Sequence, residues 1–441
     1  MDALILRGEV LHFLDDPGAA DHDASWQHWA DGYLYLQHGR VAACGDWSAR
    51  DAAALAGVPV HDHRGKLILP GLIDCHLHYA QAGVIGSFGR QLLDWLSDYT
   101  FPAEAAFSDP QLARRTAAFV LDRLLAHGTT TAAIFATVHP VSVDALMAEA
   151  ERRNMRLICG KVLMDRHAPD NLRDSAEQGV ADSAALAARW HGRGRLHYAV
   201  TPRFAPTSSA LQLQLAGELY ASQPGLYVQS HLAENLAEIA WVGELFPGHL
   251  DYLHVYEHYG LVGPRCVYGH GIHLDDGQRA RLAAGGASVA FCPTSNLFLG
   301  SGFFDYAAML DAGVAVGLAT DIGGGTSYSL IRTLGEAYKV SQWLKTPLSP
   351  LRGWYLATLG GARALRLDGC LGNFLPGKEA DCIVLDPAAT PELAFRLQHG
   401  GTLAERLFAL STLADERHVA ATYVAGRPVS TPHQELADAD A

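Results

Sequence analysis

The chain has 441 residues, more than one compact core usually supports, so a large domain with a smaller second one is expected. Its composition, 49% hydrophobic and 18% charged residues, excludes a largely disordered chain. A formal net charge of −14, spread without long acidic blocks, argues against nucleic acid or an anionic membrane surface as a partner.

The first 66 residues contain short β-prone stretches separated by glycine turns, including ALILRGEVLHF and GYLYLQHGRVAACG. Similar stretches recur near the other end, in EADCIVLDP (379–387) and VAATYVAGRPV (419–429). Each terminal segment is too small to fold alone. We therefore expect residues 1–66 and 373–441 to combine into one small β-sandwich domain, with a short tail.

Between residues 67 and 321, apolar runs rich in β-branched residues alternate with alanine- and leucine-rich stretches of helical period. The predicted strands are residues 67–78, 129–137, 155–164, 195–204, 226–234, 266–274, 286–296 and 315–321. Each is apolar enough to be buried on both faces, and each is followed by a helical segment. The pattern predicts an α/β fold, a (β/α)8 TIM-like barrel over residues 67–372.

The cysteines are scattered and form no Cys-x-x-Cys motif, so neither a disulfide framework nor a cysteine zinc site is indicated. This usage is typical of the reducing cytoplasm. The segment MDALILRGEV lacks a basic stretch followed by a long apolar one, and no 18 apolar residues run together. We expect a cytoplasmic protein without an export signal or a membrane span.

Histidines and acidic residues fall at the ends of four predicted strands, where a barrel carries its catalytic groups. They are His76 and His78 on the first strand, His231 and Glu234 on the fifth, His270 on the sixth and Asp321 on the eighth. Side chains two positions apart on a strand point the same way, so His76 and His78 can share one ion. Neutral imidazoles with a carboxylate and an open position for water suit a catalytic zinc site.

Each of these residues has an ordinary alternative when taken alone. With 22 histidines in the chain, a chance His-x-His is easy, and the one at 61–63 lies among polar residues, so we expect it on the surface. A single buried histidine or aspartate is more often a hydrogen-bonded core group or a helix cap. Their joint placement at four strand ends of one barrel favours the metal site.

Several segments are similar to a known family. PGLIDCHLH, with the histidines after strands five and six and the aspartate after strand eight, resembles the amidohydrolase superfamily over nearly the whole chain. More specifically, HYAQAGVIGSFGRQLLDWLSDYTFPAEAAF, TPRFAPTSS, SHLAEN, FCPTSNLFLGSGFFD and TDIGGGTSYS resemble the guanine deaminases within it. The resemblance implies one zinc ion per subunit, a guanine substrate and a common homodimeric state.

For the residues, the resemblance implies that the zinc is held at positions matching His76, His78, His231 and Asp321, with Glu234 and His270 assisting. Some superfamily members bridge two metals with a modified lysine at the end of the fourth strand. Here that strand ends in TPRF, and Lys161 lies within the third strand, where a structural or ion-paired role is expected. One metal is therefore favoured.

The implied reaction is hydrolytic deamination of guanine to xanthine and ammonia, a step of purine catabolism. Zinc lowers the pKa of bound water from 15.7 towards about 7 and supplies hydroxide. We expect Glu234 to protonate the ring nitrogen and pass a proton to the amine, Asp321 to accept the first proton, and His270 to orient the water. His231 and His270 are also expected to contact the base.

The base-binding candidates are Arg203, Phe204 and Gln81. A guanidinium only donates hydrogen bonds, so Arg203 matches the carbonyl of guanine and opposes the amino group of adenine. Phe204 can stack on the ring or offer its backbone amide, and the side-chain amide of Gln81 can satisfy a donor and an acceptor. Their ordinary alternatives are a salt bridge, a core residue and a loop cap, and Trp95 has either a helix-packing or a lid role.

Two other functions fit the same sequence. One is hydrolysis of a related nitrogen-rich ring such as ammeline or another s-triazine, because ammeline copies the amine, ring nitrogen and carbonyl pattern of guanine. The other is a non-catalytic scaffold that keeps the barrel for assembly. A scaffold needs no metal ligands, whereas this chain keeps every candidate, so the scaffold is the weaker alternative.

Overall fold

The computed structural model describes residues 3–88 and 91–429. Its strands are β1 (Ala3–Phe13), β2 (Trp26–Gln37), β3 (Arg40–Asp46), β4 (Val60–Pro70), β5 (Leu72–His78), β6 (Thr129–Phe135), β7 (Arg156–Gly160), β8 (Val162–Leu163), β9 (Leu196–Pro202), β10 (Tyr227–Leu232), β11 (Cys266–His270), β12 (Ser288–Phe291), β13 (Ala315–Leu318), β14 (Cys382–Leu385), β15 (Val419–Val424) and β16 (Arg427–Val429). These strands belong to two sheets.

The helices lie mostly between strands of the second sheet, and the rest follow its last strand. They are α1 (Leu92–Trp95), α2 (Phe101–Ala105), α3 (Pro110–Ala126), α4 (Pro140–Arg152), α5 (Ala176–Trp190), α6 (Ala210–Ser222), α7 (Leu236–Leu245), α8 (Tyr252–His258), α9 (Asp276–Gly285), α10 (Pro293–Phe298), α11 (Tyr306–Asp311), α12 (Leu330–Trp343), α13 (Pro350–Tyr355), α14 (Gly361–Ala364), α15 (Pro391–Gln398) and α16 (Leu403–Leu413). A π-helical turn, Leu96–Thr100, joins α1 to α2. No helix in the described residues is long and apolar enough to cross a membrane.

The two chain ends form one mixed sheet, as predicted. Its strand order is β16-β15-β14-β4-β1-β2-β3, with β1 and β4 parallel and β14 antiparallel to both β4 and β15. Apolar side chains from most of these strands share one core, which includes Leu6, Val10, Leu34, Ile68 and Val384. Burial of this shared face explains why neither terminal segment needs to fold by itself.

The remaining strands form the predicted barrel, and the predicted fold class is confirmed. Neighbouring strands run in the order β5-β6-β7-β9-β10-β11-β12-β13, with β8 also paired to β9. Backbone hydrogen bonds from Asp321 N to His76 O (2.9 Å) and from His78 N to Ile322 O (2.6 Å) join the last strand to the first. β5 and β6 are buried at every position, as expected for strands covered on both faces.

The first predicted strand, residues 67–78, is in fact two strands in two sheets. Leu67–Pro70 pairs with β14 in the mixed sheet, and the barrel strand β5 begins only at Leu72. The break falls at Gly71, where a Cβ atom would lie 2.0 Å from Thr130 Oγ1. Pro70 also lacks the N–H needed to continue a ladder on both sides. An apolar run alone does not reveal this change of sheet.

The chain divides into two compact units. One comprises the chain up to Ile73, Asp122–Thr131 and the chain from Tyr328, and the other comprises Asp74–Leu121 and Ala132–Ser327. All the predicted site residues belong to the second unit. The predicted domain ranges 1–66, 67–372 and 373–441 stay a prediction.

Candidate active site

The carboxyl ends of the barrel strands bring the predicted metal ligands together. The Nε2 atoms of His78 and His231 lie 3.1 Å apart, and Nε2 of His76 lies 3.3 Å from Asp321 Oδ1. Nε2 of His78 is 3.6 Å from the same oxygen. The ligand atoms of His76, His78 and His231 all lie within 4.8 Å of one another, and all three side chains are buried.

The hydrogen bonds and protonation of these histidines fit a divalent metal ion. Nδ1 of His231 donates to the backbone oxygen of Arg203 (2.7 Å), which leaves its Nε2 lone pair facing the cluster. Nε2 of His76 is buried and has no hydrogen-bond partner. Burial lowers the pKa of His76, and of His78 and His231 well below the usual value, so the imidazoles are held neutral. Neutral imidazoles with one carboxylate suit zinc.

Asp321 and His270 reach the cluster from backbone in the left-handed region. Their φ angles are 50° and 71°. Aspartate and histidine are among the non-glycine residues that most often adopt this region. Burial opposes ionisation of Asp321, but contact with His76 and the nearby imidazoles outweigh it and lower the pKa of the carboxyl. Asp321 is therefore an anion that three histidines approach, His76, His78 and His270.

Glu234 is a buried carboxyl beside the cluster. Its Oε2 lies 3.3 Å from Nε2 of His270, and Ser301 Oγ donates to its Oε1 (3.2 Å). Burial raises the pKa of Glu234 to about 7, with opposition from His270 and reinforcement from neighbouring carboxylates. A carboxyl with this pKa can both give and accept a proton near neutral pH.

The loop that carries Glu234 is fixed by Glu238. Oε2 of Glu238 accepts hydrogen bonds from the backbone N–H of Glu234 (2.9 Å) and of Asn235 (3.1 Å), and Tyr252 donates to its Oε1 (2.7 Å). Asn235 in turn caps α7 in a capping box with Glu238. The sequence analysis missed Glu238, although Asn followed three residues later by Glu is a recognisable capping signal.

His270 is oriented by Asn296, a second residue that the sequence analysis missed. Nδ1 of His270 donates to Oδ1 of Asn296 (2.8 Å). Its Nε2 lies 3.7 Å from Asp321 Oδ2 and faces Glu234. Burial disfavours the charged imidazole, but the carboxylates of Glu234 and Asp321 outweigh it and raise the pKa of His270.

A cavity opens above these residues. Its wall includes the three predicted base-binding residues, Gln81, Arg203 and Phe204, together with Trp95. The structure therefore brings the predicted metal, proton-transfer and base-binding residues to one cavity, and Trp95 forms part of its wall.

Behind the cavity wall, Glu104 joins two of the base-binding candidates. Nη1 of Arg203 donates to both carboxylate oxygens of Glu104 (2.9 and 2.8 Å), and Nε2 of Gln81 donates to Oε1 (3.0 Å). The sequence analysis did not single out Glu104. The sequence marks Glu104 only as a single acidic residue in the apolar stretch FPAEAAF. Its partner Arg203 lies 99 residues away, so the sequence does not show that they pair.

The three residues that were not expected to serve the site, Lys161, His61 and His63, have other partners. Lys161 is buried and pairs with Asp174, the ion-paired role expected for it. Nδ1 of His61 and Nε2 of His63 both contact the hydroxyl of Tyr423, at 2.8 and 2.9 Å. Both histidines are half-buried, so this His-x-His is less exposed than predicted.

Comparison with known proteins agrees with this geometry. The amidohydrolase family model matches residues 67–429. The chain is 49% identical over 399 residues to the guanine deaminase of Escherichia coli (strain K12), covering 90% of this chain and 91% of that one.

Solved structures of guanine deaminases share the whole fold. The E. coli enzyme superposes with a TM-score of 0.94 at 46% identity, covering 97% of this chain and 99% of that one. The C. acetobutylicum enzyme, with guanine bound in its active site, has a TM-score of 0.88 at 29% identity and covers 97% of this chain and 100% of that one. The resemblance of the motifs is confirmed: the chain belongs to the amidohydrolase family and, within it, to the guanine deaminases.

Proposed function

We propose that this protein hydrolyses guanine to xanthine and ammonia with one zinc ion per subunit. The observation that carries the proposal is the meeting of four metal donors and a proton-carrying Glu234 beneath a cavity walled by Arg203 and Gln81. The 49% identity to a guanine deaminase and the guanine held by a relative of the same fold support the choice of substrate.

The residues that would hold the metal are His76, His78, His231 and Asp321. When bound, a zinc ion supplies a nucleophile at neutral pH by lowering the pKa of water. The chain contributes three neutral imidazoles and one carboxylate, and it orients His231 through the carbonyl of Arg203. Such second-layer contacts typically change metal affinity or activity 10- to 100-fold.

Proton transfer falls to Glu234. Water adds to the ring carbon that carries the amine, and the neighbouring ring nitrogen must gain a proton while the amine leaves as ammonia. The Glu234 carboxyl, with its pKa near 7, delivers its proton to that nitrogen, takes up the second proton of the added water and passes it to the amine; the proton that Asp321 takes from the water restores Glu234 at the end of the cycle. Asp321 accepts the proton lost by the water, and His270, held by Asn296, orients the water.

Arg203, Gln81 and Phe204, on the cavity wall, recognise guanine. Arg203 donates only, so it pairs with the ring carbonyl of guanine and is mismatched with the amino group of adenine. The fixed amide of Gln81 offers a donor and an acceptor, and Phe204 packs on the ring face. His231 and His270 contact the reacting edge of the base.

A substrate panel tests the proposal directly. Purified metal-loaded protein is assayed for ammonia release from guanine, adenine, cytosine and ammeline, and its metal content is measured in parallel. We expect guanine to be turned over best. Turnover of ammeline without guanine would instead support triazine hydrolysis, and absence of any bound metal after purification without chelator would support the scaffold.

The wider setting is proposed on the sequence alone. We propose a homodimer in the cytoplasm that acts in purine catabolism. The scattered cysteines and the resemblance to guanine deaminases support this setting, and the oligomeric state is measured by sedimentation of the purified protein.

A further inference from the structure

We infer that Glu104 is a positioning residue that holds Arg203 and Gln81 as one uncharged recognition unit and so selects a neutral purine over an anionic ligand. The inference rests on the proposed function and extends it. Glu104 does not line the cavity, whereas Arg203 and Gln81 do. Its effect on a ligand is therefore exerted through those two side chains.

The contacts of Glu104 are buried and complete. Its side chain is 0% exposed and that of Arg203 3%. Each carboxylate oxygen accepts from Nη1 of Arg203, and Oε1 also accepts from Nε2 of Gln81. Removal of one member of a buried ion pair leaves an uncompensated charge, which is strongly unfavourable. Arg203 thus depends on Glu104 for both its orientation and its charge balance.

Arg203 and Gln81 keep hydrogen-bonding groups for a ligand after their contacts with Glu104 are made. A guanidinium has five N–H groups. The two oxygens of Glu104 belong to one carboxylate, so a single N–H of Nη1 is shared between them, and the other N–H of Nη1 remains together with Nε and Nη2. Gln81 uses one amide hydrogen on Glu104, and its Oε1 accepts from Gly323 N (3.3 Å). This pair of contacts fixes the amide, because a flipped amide would place its oxygen against a carboxylate. Gln81 then offers one N–H and one lone pair.

The balance of charge between Arg203 and Glu104 favours a neutral ligand over an anionic one at this wall of the cavity. An isolated arginine attracts carboxylates and other anions strongly, through charge-assisted and often bidentate hydrogen bonds. With Glu104 in place, the donors of Arg203 face the cavity while the pair carries no net charge. That arrangement suits the carbonyl of a neutral base. It gives no extra attraction to the anion that xanthine, the product, forms at mildly alkaline pH.

Arg203 also contacts the metal site through its backbone. The carbonyl of Arg203 accepts hydrogen bonds from N (3.1 Å) and Nδ1 (2.7 Å) of His231. A displaced Arg203 could therefore disturb a metal ligand as well as the base. Metal content must be measured together with kinetics to separate the two effects.

The test compares Glu104→Gln and Glu104→Asp with the wild type, all as metal-loaded enzyme. We expect E104Q to keep its metal and to raise KM for guanine roughly tenfold or more, with a smaller change in kcat, because a charge-assisted hydrogen-bond pair is lost. Xanthine inhibition should become stronger with rising pH in E104Q than in the wild type. E104D keeps the charge but retracts it, so KM should rise without the change in xanthine inhibition.

The matched control is Asp174→Asn, which removes the half-buried acid of another ion pair, with the buried Lys161, away from the cavity wall. Its KM should equal that of the wild type. If E104Q does not accumulate, E104D and a cycle with Arg203→Met carry the test: the effects on KM should fail to add in the double variant.

The inference would be overturned by unchanged KM and xanthine inhibition in a metal-replete E104Q, or by additive effects in the cycle with Arg203→Met. An equal rise of KM in D174N would also overturn it. Failure of the proposed function has a different signature, since the metal-loaded wild type would then release no ammonia from guanine.

Discussion

Two His-x-His segments lie on consecutive strands of this chain and have different surroundings. His61 and His63, on β4, are half-buried and both contact the hydroxyl of Tyr423. His76 and His78, on β5, are fully buried, and their ring nitrogens lie close to those of His231. Nε2 of His76 and Nδ1 of His78 have no hydrogen-bond partner. The spacing is the same, so the surroundings of each pair determine its role. The hydroxyl of Tyr423 is a hydrogen-bond partner for His61 and His63, whereas His76 and His78 keep nitrogen atoms available to an ion.

Removing one histidine from each segment should distinguish the two sites most clearly. His78→Ala should lose bound metal and reduce guanine deamination to background, because one of four donors is removed. His61→Ala should keep both metal and activity and lose about 1 kcal/mol of stability with its hydrogen bond. Metal analysis, ammonia release and denaturant unfolding measure the three quantities. Equal metal loss in both variants would show that the surroundings do not distinguish the pairs.

The second prediction separates metal binding from chemistry within the buried cluster. Glu234→Gln should retain the metal and lose roughly 100-fold or more in kcat, the usual lower scale for a positioned proton carrier. The isosteric amide keeps the packing but cannot shuttle a proton. Retained turnover would move the proton transfer to another group, and loss of metal would make Glu234 a ligand.

The third prediction concerns a buried histidine of the mixed sheet, where no metal is proposed. Burial lowers the pKa of His12 to about 4 from 6.5, and its nitrogens contact Gln27 Oε1 (3.0 Å) and Phe374 N (3.4 Å). Because the folded pKa is the lower one, its contribution to stability is present above pH 6.5 and is lost as pH falls towards 4.

At about 1.4 kcal/mol per pKa unit, the loss attributable to His12 is about 3 kcal/mol. Denaturant unfolding of the wild type and of His12→Asn between pH 7 and pH 4 measures it. The variant should show a shallower fall in the free energy of unfolding. Parallel falls in the two proteins would mean that His12 is accessible to protons in the folded state.

The smallest expected effect is that of Asn296, which orients His270 from outside the cluster. Asn296→Ala should lower kcat about 10- to 100-fold and leave metal content close to that of the wild type. Its Oδ1 accepts from Nδ1 of His270, so the ring loses its fixed orientation rather than its presence. Asn296→Asp, which keeps the acceptor, should retain more activity than the alanine variant, and the reverse order would contradict this role.

The sequence predicts the barrel and the cluster well because both depend on local patterns. Buried parallel strands are continuous apolar runs, and the polar residues that interrupt their ends, such as His76 and Asp321, stand out. Two features were not predictable in this way. The change of sheet at Gly71 depends on its close approach to Thr130, and the partnership of Glu104 with Arg203 spans 99 residues.

The supporting residues show the same limit. Glu238 acts on the backbone of Glu234 and Asn296 acts on the ring of His270, so neither belongs to a ligand motif. In the sequence Glu238 resembles an ordinary capping-box residue, and Asn296 is a polar residue within the short helix α10. Only the folded positions of the donors and acceptors show that they hold the reacting groups in place.

The left-handed backbone at His270 and Asp321 limits how this centre can be redesigned or can drift in evolution. At these positions a replacement must first tolerate a conformation that β-branched side chains avoid, before its coordinating atoms matter. Asparagine or glycine at 321 keeps the chain path while deleting the charge, whereas valine or threonine strains the loop itself. Substitution libraries should therefore show a narrow tolerance here, set by conformational preference as much as by chemistry.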